Sequence, residues 1–128
     1  MSQVSVRYVV DDAAAATSFY RDLLGFEVER TPAPGFAMLT HGDLRLLLSE
    51  PRGPGGAAQA MPDGRRPEPG GWNRFQLEVD DLDAAVAALR QAGARLRNEP
   101  VRGRGGTQVL VEDPSGNPVE LFQPHPGA

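Results

Sequence analysis

Residues 5–12 (SVRYVVDD) and 74–81 (RFQLEVDD) carry the same pattern of polar and apolar positions, 69 residues apart. In each, apolar side chains alternate with small or polar ones, the period of a strand with one buried face. Each stretch ends on two aspartates and runs into an alanine-rich segment. There the apolar spacing becomes helical: Ala16, Phe19, Tyr20 and Leu23 in the first copy, and Leu82, Val86 and Leu89 in the second. The pattern predicts a strand over 4–10 and a helix over about 13–24, capped by Asp11 or Asp12 and closed by Gly25. It predicts a second helix over about 82–92, capped by Asp80 or Asp81 and ended by Gly93. Repetition on this scale marks a duplicated module.

Residues 26–30 (FEVER) read as a strand, broken by Pro32, Pro34 and Gly35. Residues 36–41 and 44–49 flank Gly42-Asp43, a two-residue hairpin signal. A tight turn pairs His41 with Leu44, Met38 with Leu47 and Phe36 with Ser49. Cross-strand partners share a face, so Phe36, Met38, Thr40, Arg45, Leu47 and Ser49 line one side. Leu39, Leu44, Leu46 and Leu48 line the other, under the helix. In the second half Leu96 starts a short strand, and Gly103, Gly105 and Gly106 form a loop. Strands over 107–112 and 118–123 then flank the turn DPSGN. A four-residue loop there pairs Val111 with Glu120 and Val109 with Phe122. The segment 51–71 is rich in proline and glycine and reads as a connector, with Arg65-Arg66 a solvated loop feature.

Each half thus reads strand, helix, three strands. The expectation is a single α+β domain over 1–128, with module 1 at about 4–50 and module 2 at about 72–124. Two βαβββ modules curl into a cup-shaped mixed sheet with the helices outside.

Composition narrows the function classes. The 128 residues contain no cysteine, which removes disulfides and thiolate ligands. The sequence has no apolar run of membrane-spanning length and no signal-peptide pattern, and it reads as a cytoplasmic protein. A net charge of -4 gives no basic footprint for nucleic acid. All 13 basic residues are arginine, a bias expected of a GC-rich bacterial genome.

FYRDLLGF after the first strand and DPSGNPVEL near the end, set on this layout, resemble the vicinal oxygen chelate superfamily. That superfamily includes glyoxalase I, extradiol dioxygenases, and fosfomycin and bleomycin resistance proteins. Members that bind metal place ligands early on the first strand and on the last strand of each half. The resemblance carries those positions to Ser5, Leu47, Arg74 and Glu120, of which Glu120 alone fits. Leucine has no lone pair to offer, and an arginine repels a cation. The expectation is a cup with no metal and no other cofactor.

Such a cup is lined by Ser5, Arg7, Phe36, Met38, Arg45, Leu47, Arg74, Gln76, Val109, Val111, Glu120 and Phe122, with Trp72 beside it. Apolar surface with a few polar groups is the composition of a ligand pocket. Phe36, Met38, Phe122 and Trp72 would hold a planar ligand, and Arg74 and Glu120 would either pair with each other or orient polar ends of the ligand. Members without the metal set resemble the bleomycin resistance group, homodimers that sequester a drug unchanged. The leading expectation is therefore a homodimer binding a large, partly aromatic natural-product antibiotic, bleomycin-, mitomycin- or enediyne-like. The competing one is a glyoxalase-like lyase or isomerase, or a dioxygenase-type enzyme, with Glu120 as base or metal ligand.

Overall fold

The computed structural model describes residues 3–51 and 59–127. The fold is α+β, with two helices and two sheets among the described residues. The chain divides into two compact units, Met1–Gly70 with Pro114–Asn117, and Gly71–Asp113 with Pro118–Ala128.

In the first unit, β1 (Val4–Val9), α1 (Ala13–Leu24), β2 (Glu27–Ala33), β3 (Phe36–His41) and β4 (Leu44–Ser49) build a sheet in the order β1-β4-β3-β2. Helix α1 begins where Asp12 turns its carboxylate onto the Ala14 and Ala15 amides, at 3.0 and 3.1 Å. It ends at Gly25, whose φ of 75° suits a residue without Cβ. Ala13, Ala16, Phe19 and Tyr20 are its buried side. Tyr20 meets Phe19 and Phe26 edge to face, with centroids 5.1 and 5.3 Å apart. Leu23 was expected in this stripe but is exposed. The Phe26 amide donates back to the Tyr20 carbonyl, so buried Phe26 fills the place a further helical turn would have taken.

The β3–β4 register is the expected one, with His41 opposite Leu44, Met38 opposite Leu47 and Phe36 opposite Ser49. Strand β2 is a correction, since it continues through Pro32 to Ala33 with two register shifts. It is the edge of its sheet, where a missing N–H costs no ladder bond. Of the connector 51–71, residues 52–58 lie outside the described residues. Beyond them Met61 and Arg65 close a turn, and Arg65 pairs with Asp63 in solvent, as its loop reading required.

In the second unit, β5 (Gln76–Glu78), α2 (Leu82–Gln91), β6 (Arg95–Leu96), β7 (Val101–Arg102), β8 (Gly106–Glu112) and β9 (Pro118–Pro124) repeat the plan. The sheet order is β5-β9-β8-β6, with β7 also on β8. The sequence reading missed β7 and put Gly106 in a loop. Asp81 caps α2 through the Ala84 amide, and Leu82, Val86 and Leu89 are its buried side.

The β8–β9 register differs by one residue from the expected one: Leu110 faces Glu120, Gln108 faces Phe122, and Glu112 faces Pro118. The connecting loop therefore has five residues, 113–117, not four. Asn117 is the cause. Its amide nitrogen donates to the Val9 carbonyl at 2.8 Å, and its oxygen accepts from the Gly70 amide at 2.7 Å. Ser115 Oγ accepts from the Asp11 amide. A buried side chain with both ends committed draws Asn117 out of the ladder.

Candidate functional site

In each sheet one face carries the unit's helix, and the other is bare of a helix. In the first unit, Ser5 pairs with Arg45, Arg7 with Leu47, and Val9 with Ser49 across the parallel β1–β4 ladder. With Phe36 and Met38 from β3, the six expected residues Ser5, Arg7, Phe36, Met38, Arg45 and Leu47 share the bare face. Ala37, Leu39, Leu46 and Leu48 are buried on the other side. Arg45 is engaged by both carboxylate oxygens of Glu29 at 3.0 and 3.1 Å. Arg7 donates to Ser49 Oγ at 2.7 Å and lies 5.9 Å from the Phe36 ring centre.

In the second unit, Gln76, Glu120 and Phe122 share the bare face, because Gln76 pairs with Glu120 along β5–β9. Arg74, just before β5, reaches the same carboxylate, with Nε at 3.0 Å and Nη2 at 2.9 Å from Oε1. Gln76 donates to Oε2 at 2.6 Å. With its amide nitrogen turned toward the carboxylate, Gln108 donates to Oε2 and Oε1 at 2.8 and 3.0 Å. Glu120 is only 8% exposed. A guanidinium and two amides thus occupy the acceptor positions of one buried carboxylate.

The shifted register corrects two expected site residues. Val109 and Val111 face Leu121 and Val119 on the helix side and are fully buried; they are core. Gln108 and Leu110 take their places on the bare face. The sequence reading missed Gln108, because the hydrogen bonds that make the loop five residues long reach Val9 and Gly70, far away along the chain.

Trp72 is 70% exposed, and the Arg97 guanidinium lies 4.6 Å from its ring centre. Arg97 is itself fixed by Glu112 at 2.7 Å and by the Gly71 carbonyl at 2.8 Å. The indole is thereby held against one cationic neighbour with much of its surface in solvent.

The sequence model of the Glyoxalase/Bleomycin resistance protein/Dioxygenase superfamily matches residues 2–121. The chain belongs to this superfamily. It is 34% identical to the ethylmalonyl-CoA/methylmalonyl-CoA epimerase of Cereibacter sphaeroides, over 92% of this chain and 94% of that one. Among solved structures it is similar to TnmS3, an antibiotic binding protein from Streptomyces sp. CB03234. The identity is 26% and the TM-score 0.73, covering 98% of each chain. It also shares its fold with a lactoylglutathione lyase from Agrobacterium tumefaciens, at 24% identity and a TM-score of 0.74, over 95% of this chain and 92% of that one. The superfamily thus holds enzymes and antibiotic-binding proteins on one fold, and the fold does not choose between them.

Metal-binding members of the superfamily pose a fit test. By register, Leu47 opposite Arg7 and Glu120 opposite Gln76 occupy matching places in the two modules. Ser5, Leu47 and Arg74 supply no carboxylate or imidazole, and the Glu120 oxygens are already engaged. Among the described residues no three His, Asp or Glu side chains converge on one point. The donor set does not fit a divalent cation.

Proposed function

We propose that this chain is a binding protein that holds a small, partly aromatic organic molecule without a metal and releases it unchanged. The antibiotic-sequestering members of the superfamily are the model for that role. One observation carries the reading. Glu120, the one carboxylate among the four positions that metal-binding members use, is saturated by Arg74, Gln76 and Gln108. To coordinate a cation it would first have to give up charge-assisted hydrogen bonds, each worth about 1.5–3 kcal/mol. The apolar surface that the bare faces leave partly accessible is Phe36, Met38 and Leu47 in one unit and Phe122 in the other. The similarity to an antibiotic binding protein over nearly the whole chain supports the reading. In it the protein is a homodimer, as the bleomycin resistance group is.

The test is a thermal-shift panel of bleomycin-, mitomycin- and enediyne-type compounds, followed by mass spectrometry of any retained ligand. A true ligand raises the melting temperature with concentration and is recovered intact. Recovery of an altered compound, or stoichiometric transition metal in protein purified without chelator, would overturn the proposal. The 34% identity to an epimerase favours a second reading, an acyl-CoA-handling enzyme. Turnover of methylmalonyl-CoA by the purified chain, abolished in Glu120→Gln, would establish it instead.

A further inference from the structure

Six described arginines pair with carboxylates: Arg21, Arg45, Arg65, Arg74, Arg90 and Arg97. On the bare faces, Arg45 is matched by Glu29 and Arg74 by Glu120. Arg7 lies on the same kind of surface and has no carboxylate among the described residues. It is nonetheless held in place. Ser49, buried beneath it, accepts from Nη1 at 2.7 Å, and the Phe36 ring lies 5.9 Å from the guanidinium carbon. Neither contact neutralises its charge. The guanidinium is oriented, solvent-accessible and still able to donate through its other N–H groups.

We infer that Arg7 is the anchor for an acidic group on the ligand, and that the ligand is a planar aromatic carrying a carboxylate or a comparably flat anion. The inference rests on the binding-protein reading above and adds the ligand's charge to it. A guanidinium presents a fork of donors that matches a carboxylate's two oxygens. Leu47 lies beside Arg7 in the ladder, with Met38 beyond it, and Phe36 sits in the next row. An anion on Arg7 would therefore lay its ring over Leu47 and Met38. The net charge of -4 opposes this only weakly. Exposed charges more than about 8 Å away are largely screened at physiological salt, whereas the Arg7 contact is direct.

The test titrates the ¹⁵N-labelled full-length chain with 2-naphthoate and, separately, with neutral 2-naphthamide. The acid is expected to bind about five- to tenfold more tightly and to shift the Arg7 side-chain resonances. Arg7→Gln should bring the acid down to the affinity of the amide, and Arg7→Lys should restore part of the preference. Unchanged melting temperatures would show that both variants fold. Equal binding of acid and amide, or a preference for the acid that survives in Arg7→Gln, overturns the anchor while leaving the binding-protein reading intact. If neither naphthalene binds, the anchor is overturned; if the antibiotic panel is also empty, the binding-protein reading falls with it.

Discussion

Truncating both partners of the Arg74–Glu120 pair gives the sharpest test of the second unit's polar cluster. Glu120→Ala strands the donors of Arg74, Gln76 and Gln108 at once. A fully buried pair broken on one side costs about 3–5 kcal/mol. The Arg74 side chain is 29% exposed, so water recovers part of that loss. We expect Glu120→Ala to cost about 2–3 kcal/mol. Arg74→Ala leaves a carboxylate that still accepts from two amides, and should cost about 1–2 kcal/mol. Because each single variant loses the same ion pair, the double variant should cost about 1 kcal/mol less than their sum. Urea denaturation of the four proteins, followed by circular dichroism and by Trp72 fluorescence, measures the cycle. Additivity within about 0.3 kcal/mol would mean that the pair contributes nothing, and the account of a saturated Glu120 would fail with it.

Three further substitutions probe other links. Gly106→Ala places a Cβ onto the Gln123 carbonyl oxygen and 2.7 Å from Phe122 Cζ; a loss of about 3 kcal/mol in chemical denaturation is expected, and a neutral result would contradict the β8–β9 packing. Asn117→Ala should cost about 2 kcal/mol, since the Val9 carbonyl and the Gly70 amide both lose their partner; stability within about 0.5 kcal/mol of the parent would show that this residue does not set the loop. Trp72→Ala should leave the melting temperature nearly unchanged, because Arg97 keeps Glu112 and the Gly71 carbonyl, yet weaken the ligand found in the panel by about 1–3 kcal/mol; undiminished affinity would remove Trp72 from the site.

Local signals decided most of the fold. Aspartate caps, a glycine stop and the 3.6-residue stripe located both helices, and α1 runs over the expected residues. The Gly42-Asp43 turn allows one register between its strands, and that register placed Phe36, Met38, Arg45 and Leu47 on one face. These features rest on interactions between residues close in the chain, which is why the sequence alone was sufficient for them.

Sequence alone determined a strand–helix–strands plan that occurs twice and the residue types available at Ser5, Leu47 and Arg74. The tertiary structure decided what local rules leave open. Pro32 stays in a strand because β2 is the edge of its sheet among the described residues, and Phe26 is buried against Tyr20 while Leu23 is left exposed. Asn117 finds partners at Val9 and Gly70, far away along the chain, and so lengthens a loop by one residue. A slip of one residue inverts every side chain of a strand. It moved Val109 into the core and set Gln108 beside Glu120, because long-range hydrogen bonds, not the turn's own residues, fixed where that hairpin closes.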